Sequence, residues 1–246
     1  MNFERITPVW LEETDSTNSE AMRLLKAGNP LEGTCICAHY QREGKGQRNN
    51  HWQSKRSQNL LASFILYPPA DLIQQPFLLS KTIALAAQQT AKSFTSRKAE
   101  IKWPNDILLD GKKVAGILIE NLWLGSTWHA AVVGIGMNVN QREFEAIHAT
   151  FLSADSSKNI DLVHVLNELQ KNLSNCYERL HNGDISGISE DYHARLFGKS
   201  EYHNYRDAQQ QFQAKVAQVL GDGRIELITQ EKTCLRYDLR EVKMQY

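Results

Sequence analysis

The alternation of apolar and polar positions divides the chain into helices and strands before any residue is considered for its chemistry. Val9 to Glu12 reads as a short strand. Asp15-Ser16-Thr17-Asn18 then supplies capping side chains for a helix in which Ala21, Leu24 and Leu25 fall at helical spacing until Gly28 stops it. Thr34 to Tyr40 and Asn59 to Leu66 read as strands, separated by the polar, glycine-containing stretch Gln41 to Gln58. Pro68-Pro69 breaks the chain, and Phe77 to Phe94 is an apolar helix with Leu78, Ile83, Ala84, Ala87 and Ala91 toward the core.

Between Ile101 and Glu120 the pattern signals a hairpin, with Asp110-Gly111 between the apolar runs Ile107 to Leu109 and Val114 to Ile119. Trp128 to Ile135 is a further strand, running into Gly134-Ile-Gly-Met-Asn-Val-Asn140. Leu162, Leu166, Leu169, Leu173, Tyr177 and Leu180 line one face of a long helix that Gly183 ends, and a shorter helix is expected from Ser189 to Phe197. Beyond a short linker at Gly198 to Asn204, the runs Phe212 to Leu220, Arg224 to Thr229 and Thr233 to Asp238 have the length and turn signals of a small β-barrel. Strands occur both in hairpins and after helices, which predicts an α+β fold. A mixed β-sheet with covering helices is expected over residues 1–198 and a small C-terminal β-barrel over 205–246.

Composition narrows the function classes. The 246 residues hold 41% apolar residues, and Lys plus Arg balance Asp plus Glu at 28 each, so no global field draws the chain to nucleic acid or an anionic membrane. The amino terminus lacks the basic start and apolar run of a secretory signal, and no stretch reaches the roughly 18 apolar residues of a membrane span. A cytoplasmic location is the expectation. Cys35, Cys37, Cys176 and Cys234 are scattered, and the eight histidines show no metal spacing, so buried free thiols are expected rather than a zinc site.

Local charge departs from that balance. From Gln41 to Gln58, Arg42, Lys45, Arg48, Lys55 and Arg56 face one acid, Glu43, a local net charge of +4. Gly44 and Gly46 flank Lys45, which allows backbone N–H groups close to a ligand and leaves the loop mobile. Cations on such a loop suit a polyphosphate, although a solvated exposed loop has the same composition. It is not a P-loop, because no Gly-x4-Gly-Lys-Ser/Thr is present. Lys102, in Ile101-Lys-Trp-Pro-Asn-Asp106, stands at a strand end beside a proline-fixed turn, as a rigidly held ammonium or an ordinary surface lysine would. The hydroxyls and amide of Thr14-Asp-Ser-Thr-Asn18 suit both a helix cap and a polar ligand at the helix terminus. Gly134-Ile-Gly-Met-Asn138 lacks the third glycine of a dinucleotide fingerprint.

Taken in order, these stretches resemble the biotin protein ligase family. The likeness rests on Asp15-Ser-Thr-Asn18, Gln41-x-x-Gly-Lys-Gly-x-Arg48 with Trp52 behind it, Lys102-Trp-Pro-Asn-Asp106, Lys113-Val-Ala-Gly-Ile-Leu-Ile-Glu120 and Gly134-Ile-Gly-x-Asn-Val-Asn140. It covers roughly residues 10–140. The resemblance implies a catalytic core like that of class II aminoacyl-tRNA synthetases with an SH3-like barrel, and two half-reactions. Biotin and MgATP give biotinyl-5′-adenylate, which then acylates a lysine of the biotin carboxyl carrier domain of acetyl-CoA carboxylase or a similar carboxylase. By the same resemblance, biotin is contacted by Ser16, Thr17, Asn18 and Gln41, by Gly44, Gly46 and Gln47 of the loop, and by Lys102 and Gly116. Lys45, Arg48, Trp52 and Asn138 contact ATP, and Lys102, Arg48 and Lys45 carry the catalysis.

Two departures qualify the likeness. Relatives often carry Gly-Arg-Gly-Arg-Arg-Gly where this chain has Gly44-Lys-Gly-Gln-Arg-Asn49; Lys45 keeps the charge without the bidentate fork, which implies weaker retention of the adenylate. The Ser-Thr-Asn motif begins at residue 16, so the ligase-only type without a DNA-binding domain is expected. Asp106 is a candidate for Mg2+ by position, with a turn role as the alternative, and a homodimer is within the family's range. Two other readings stay open: a lipoate or octanoate protein ligase of similar fold, and a binding module that kept the pocket without turnover.

Overall fold

The computed structural model describes residues 2–47, 50–145 and 148–245. Seven strands make the main sheet: β1 (Val9–Leu11), β2 (Cys35–Ala38), β3 (Asn59–Leu66), β4 (Ala99–Lys102), β5 (Asp106–Leu109), β6 (Lys112–Leu124) and β7 (Thr127–Asn138). Their order across the sheet is β1-β2-β3-β7-β6-β5-β4, with β1 parallel to β2 and every other pair antiparallel. This is the mixed sheet expected. The Ile101–Glu120 stretch is a three-strand meander rather than one hairpin, and Asp110 and Gly111 both take positive φ (47° and 75°), as a tight Asp-Gly turn requires.

Each face of the sheet meets its own layer. Helices α2 (Phe77–Ser93) and α3 (Leu162–His181) cover one face over a core that includes Phe64, Leu79, Ile83, Ile117, Val133, Ile135, Leu169 and Tyr177. The opposite face is covered only in part, by α1 (Thr17–Ala27), whose Ala21 and Leu25 pack on Ile36, Ile65, Ala130 and Val132. Leu24, expected inside, is exposed, because the short helix buries a single stripe. The rest of that face is left open beside the N-terminus of α1. In β3 all eight residues are buried, which the polar Ser63 within an apolar run did not foretell.

Helix α4 (Ile185–Ala194) leads into a five-stranded antiparallel sheet: β8 (His203–Arg206), β9 (Gln211–Val219), β10 (Ile225–Thr229), β11 (Cys234–Tyr237) and β12 (Lys243–Met244), in the order β11-β10-β9-β8-β12. β8 and β12 were not anticipated, since neither has an apolar run. The two sheets are tied together at the turn after β9: Trp103 Nε1 donates to Gly223 O (2.9 Å), Phe77 N to Gly221 O (3.3 Å) and Lys81 Nζ to Val219 O (2.9 Å). Cys35, Cys37 and Cys176 are buried thiols as expected, whereas Cys234 on terminal strand β11 is exposed. No described helix is long and apolar enough to cross a membrane.

Candidate active site

On the open face the strand registers line up one row of residues. Leu61 pairs with Gly136, Gly136 with Gly116, Gly116 with Asp106, and Asp106 with Lys102. Directly opposed residues share a face, so a trough with a glycine floor crosses the sheet and ends on Lys102 at the edge. The Trp52 indole lies on that floor. A Cβ at Gly136 would stand 2.4 Å from Trp52 Cε2, and one at Gly116 3.0 Å from Cζ3, so both positions need glycine for close approach and not for φ. Lys113 Nζ is 5.6 Å from the centre of the Trp52 ring and 2.6 Å from Asp106 Oδ1. These residues, Lys102 excepted, line a cavity of about 200 Å³, together with Ser16, Thr17, Asn18, Gln41, Lys45, Gly46 and Gln47.

The end of the cavity beside α1 is polar and ordered. Gln41 Oε1 accepts from both Thr17 N (2.7 Å) and Thr17 Oγ1 (2.9 Å), which fixes its Nε2 as the group left to donate. Ser63 Oγ lies 2.7 Å from Thr17 Oγ1 and 2.6 Å from Asn18 Oδ1. Asn18 Nδ2 donates to Glu120 Oε2 (2.8 Å), and a Cβ at Gly134 would meet Asn18 Oδ1 at 2.2 Å. Asn18 is therefore a tightly seated wall. Ser16 occupies the N-cap position, yet its side chain makes no capping hydrogen bond; Gln41 serves the helix terminus instead, through Thr17 N. Asp15 is held ionised, its pKa lowered chiefly by the Arg23 guanidinium and by Ser16 N–H and Thr14 hydroxyl bonds.

The described parts of the glycine loop, 44–47 and 50–52, pair with each other and do not form an open strap. Lys45 bridges His51, Gly46 N donates to Asn50 O (2.7 Å) and Trp52 N to Gly44 O (2.8 Å), an approach a Gly44 Cβ would obstruct. Its charge does not converge as the sequence suggested. Arg42 pairs with Glu13 at 2.9 Å, Arg56 pairs with Glu13 and stacks on Tyr40, and Lys55 pairs with Glu143 at 2.5 Å. Lys45 does line the cavity, with Nζ 3.7 Å from Glu120 Oε1. Arg48 and Asn49 lie outside the described residues.

Three expected contacts are placed differently. Lys102 belongs to the trough by register, but its side chain lines a neighbouring small cavity with Phe197, Tyr205, Lys243 and Met244 at the second sheet. Burial lowers its pKa; Asp106 acts in the opposite sense, and Lys113 and Lys243 add to the lowering. Asn138 is buried and donates Nδ2 to Thr150 O (3.0 Å), and Gly44 stands behind the hairpin; neither lines the main cavity. Lys113, Ser63 and Glu120 were missed as site residues. Lys113 and Glu120 lay within a quoted motif, and Ser63 was the polar interruption of β3.

The biotin/lipoate A/B protein ligase family model matches residues 10–138. The chain is 33% identical over 164 residues to the bifunctional ligase/repressor BirA of Bacillus spizizenii, covering 64% of this chain and 50% of that protein. It is 39% identical over 133 residues to the biotin–[acetyl-CoA-carboxylase] ligase of Paracoccus denitrificans, covering 52% of this chain and 53% of that protein. It thus spans about half the length of these curated relatives. A solved Aquifex aeolicus biotin protein ligase, in complex with biotin and ATP, superposes with a TM-score of 0.79 at 26% identity, covering 97% of this chain and 98% of that one. With the family model spanning more than half of its length, the chain belongs to the biotin/lipoate A/B protein ligase family.

Proposed function

We propose that this chain is an ATP-dependent biotin protein ligase, which makes biotinyl-5′-AMP and passes the biotinyl group to a lysine of a carrier domain, that of acetyl-CoA carboxylase or a similar carboxylase. One observation carries the reading: a hydrogen-bonding pocket end at Thr17 and Gln41 runs without a break into an aromatic-floored, cationic trough. A urea ring needs donors and acceptors, which Gln41 Nε2 and the Ser16 hydroxyl supply. A nucleotide base suits the Trp52 floor; among the described residues Trp52 Nε1 is buried without a hydrogen-bond partner, leaving a donor for it. The likeness to the Aquifex ligase, solved with biotin and ATP, supports the same substrates here.

The chemistry follows from charge. A carboxylate oxygen of biotin attacks the α-phosphorus of ATP, the P–O bond to pyrophosphate breaks, and a mixed anhydride forms. Two anions must meet, so positioning and neutralisation are the protein's main tasks. Lys45 and Lys113 line the chamber, and Lys102 stands one strand spacing, about 4.8 Å, beyond Asp106. Turning Lys102 from its side cavity along the row brings its ammonium to the reacting carboxylate. MgATP is the substrate form. Asp106 is in contact with Lys113, which suits an ion pair more than a metal ligand, so phosphate oxygens and water supply most of the metal's shell. A cytoplasmic location, where ATP is available and the exposed Cys234 stays reduced, goes with this reading.

The family's other substrate, lipoate, carries a dithiolane with no hydrogen-bonding groups, and it would leave Gln41 Nε2 and the Ser16 hydroxyl unpaired in the pocket. The test is ATP–pyrophosphate exchange with biotin or lipoate as the acid. Exchange driven by biotin and lost in Lys102→Ala supports the assignment. Exchange driven by lipoate, or by neither acid, refutes it.

A further inference from the structure

A second cavity, of about 160 Å³, adjoins the first and is less polar and without its charged side chains. About half of its wall is apolar, from Phe77 and Leu79 at the start of α2, Ile117 and Ile119 of β6, Trp128 of β7, and Leu239 of the C-terminal segment. Its polar side chains are Gln47, Ser80, Asn105 and Asn121, and among the described residues no charged one lines it. Gln47, Asn105 and Ile117 border both cavities and form the partition between them.

Register explains why the two spaces meet. β5 pairs with β6 only from Lys112 to Gly116, and Asn105 closes the ladder through Ile117 N→Asn105 O and Asn105 Nδ2→Ile117 O, both 2.9 Å. Beyond Ile117 that edge of β6 has no strand partner among the described residues. Gly116 and Leu118 face the first cavity while Ile119 and Asn121 face the second, so the two lie on opposite sides of β6 around its free edge, with Gln47, Asn105 and Ile117 between them. The outer rim is apolar as well. Trp123 and Leu124, at the tip of the β6–β7 hairpin, are 43% and 57% exposed, and Trp123 stacks on Trp128 with centroids 5.8 Å apart.

We infer that this second cavity is the entry channel for the acceptor lysine, and that the exposed Trp123–Leu124 rim is where the carrier protein presenting that lysine sits. The inference rests on the proposed biotinyl transfer and adds the route. A wall without a cation offers substrate anions no counter-charge. A lysine side chain matches it: four methylenes against apolar walls, and an amine that must reach the acyl carbon uncharged. Apolar surroundings favour the neutral amine. The Asn105 amide nitrogen is tied to Ile117 O, so its carbonyl oxygen is the atom left to accept an N–H at the partition. The amine nitrogen then bonds to the acyl carbon, the bond from that carbon to the phosphate oxygen breaks, AMP leaves with the electron pair, and the amine's surplus proton passes to solvent. Separate routes let the hairpin stay over the nucleotide while the lysine arrives, which limits hydrolysis of the anhydride.

Filling the channel tests this. Leu239→Trp and, at the mouth, Asn121→Trp are outside the first cavity. Each is expected to keep biotin-dependent pyrophosphate exchange within about twofold of wild type, and so to report intact folding and adenylate synthesis, while transfer to the intact carrier protein falls by an order of magnitude or more. Hydroxylamine, small enough for either route, should discharge the adenylate at the wild-type rate in both variants. Transfer unchanged in both variants overturns the channel, as does transfer lost only in proportion to exchange. Absence of biotin-dependent exchange in the wild-type protein would instead strike the proposed function itself.

Discussion

Lys113 Nζ stands 2.6 Å from Asp106 Oδ1 and over the Trp52 ring, and the contact is ionic without hydrogen-bond alignment. A half-exposed pair of this kind adds little to stability. Its importance is local: it leaves a carboxylate beside a chamber for anions without leaving that carboxylate uncompensated. Lys113→Met should therefore raise the KM for ATP by on the order of tenfold. The double variant Asp106→Asn/Lys113→Met should recover part of the loss, because no unpaired charge remains. Exchange kinetics at fixed biotin measure both, and a double variant worse than the single one would refute the pairing.

Lys102 makes the sharpest kinetic prediction. Lys102→Ala should lower adenylate formation by on the order of 10²–10³, as loss of one transition-state donor does. Burial lowers its pKa, so the ammonium loses its proton below the ordinary lysine value of 10.5. Activity that needs the charge then falls as pH rises through that lowered pKa, and Lys102→Arg, whatever its rate, should lack this alkaline limb. A pH profile of exchange distinguishes the two.

Ser63 is fully buried between Thr17 and Asn18. Ser63→Ala leaves the Asn18 oxygen without its donor and should cost about 1–3 kcal/mol of stability. Biotin affinity should fall with it, whereas the KM for ATP should hardly move. Denaturant unfolding and calorimetric titration with biotin check the two halves separately.

His193 predicts a pH effect at the junction of the two sheets. Its Nε2 accepts from Val219 N at 2.9 Å, and Val219 O accepts from the buried Lys81 ammonium. Burial, followed by Lys81, lowers the His193 pKa from its ordinary 6.5; contact with the Val219 and Ser189 backbone acts the other way, and Lys199 adds to the lowering. The unfolded chain takes up this proton first, so the stabilisation is complete above pH 6.5 and is lost as pH falls toward the lowered folded value. The melting temperature should drop between pH 7.5 and 5.5, and the drop should be smaller in His193→Gln.

Much of this was legible in the sequence. Apolar periodicity located β3, α2 and α3 almost to the residue, since each is long and carries a sustained apolar pattern into the core. Polar short strands such as β8 and β12 were not, because their formation depends on partners distant in the chain. For the site, the motif order brought Ser16, Thr17, Asn18, Gln41, Lys45, Trp52 and Gly116 into one cavity. Counting charges between Gln41 and Gln58 misled, because Arg42, Lys55 and Arg56 pair with acids outside the cavity, Glu13 and Glu143. Nor could spacing tell that Asn138 spends its amide on Thr150, a choice made by packing.

The irregular pairing of β5 with β6 between Ile107 and Leu108 has a consequence out of proportion to its size. Lys113 and Gly116 are an odd number of residues apart, and in an unbroken strand they would point to opposite sides. The extra residue, Val114, restores parity and swings Lys113 round to Asp106. Were the same residues paired without that irregularity, no polar group would be lost, yet Lys113 would turn away from the trough and leave Asp106 facing it alone.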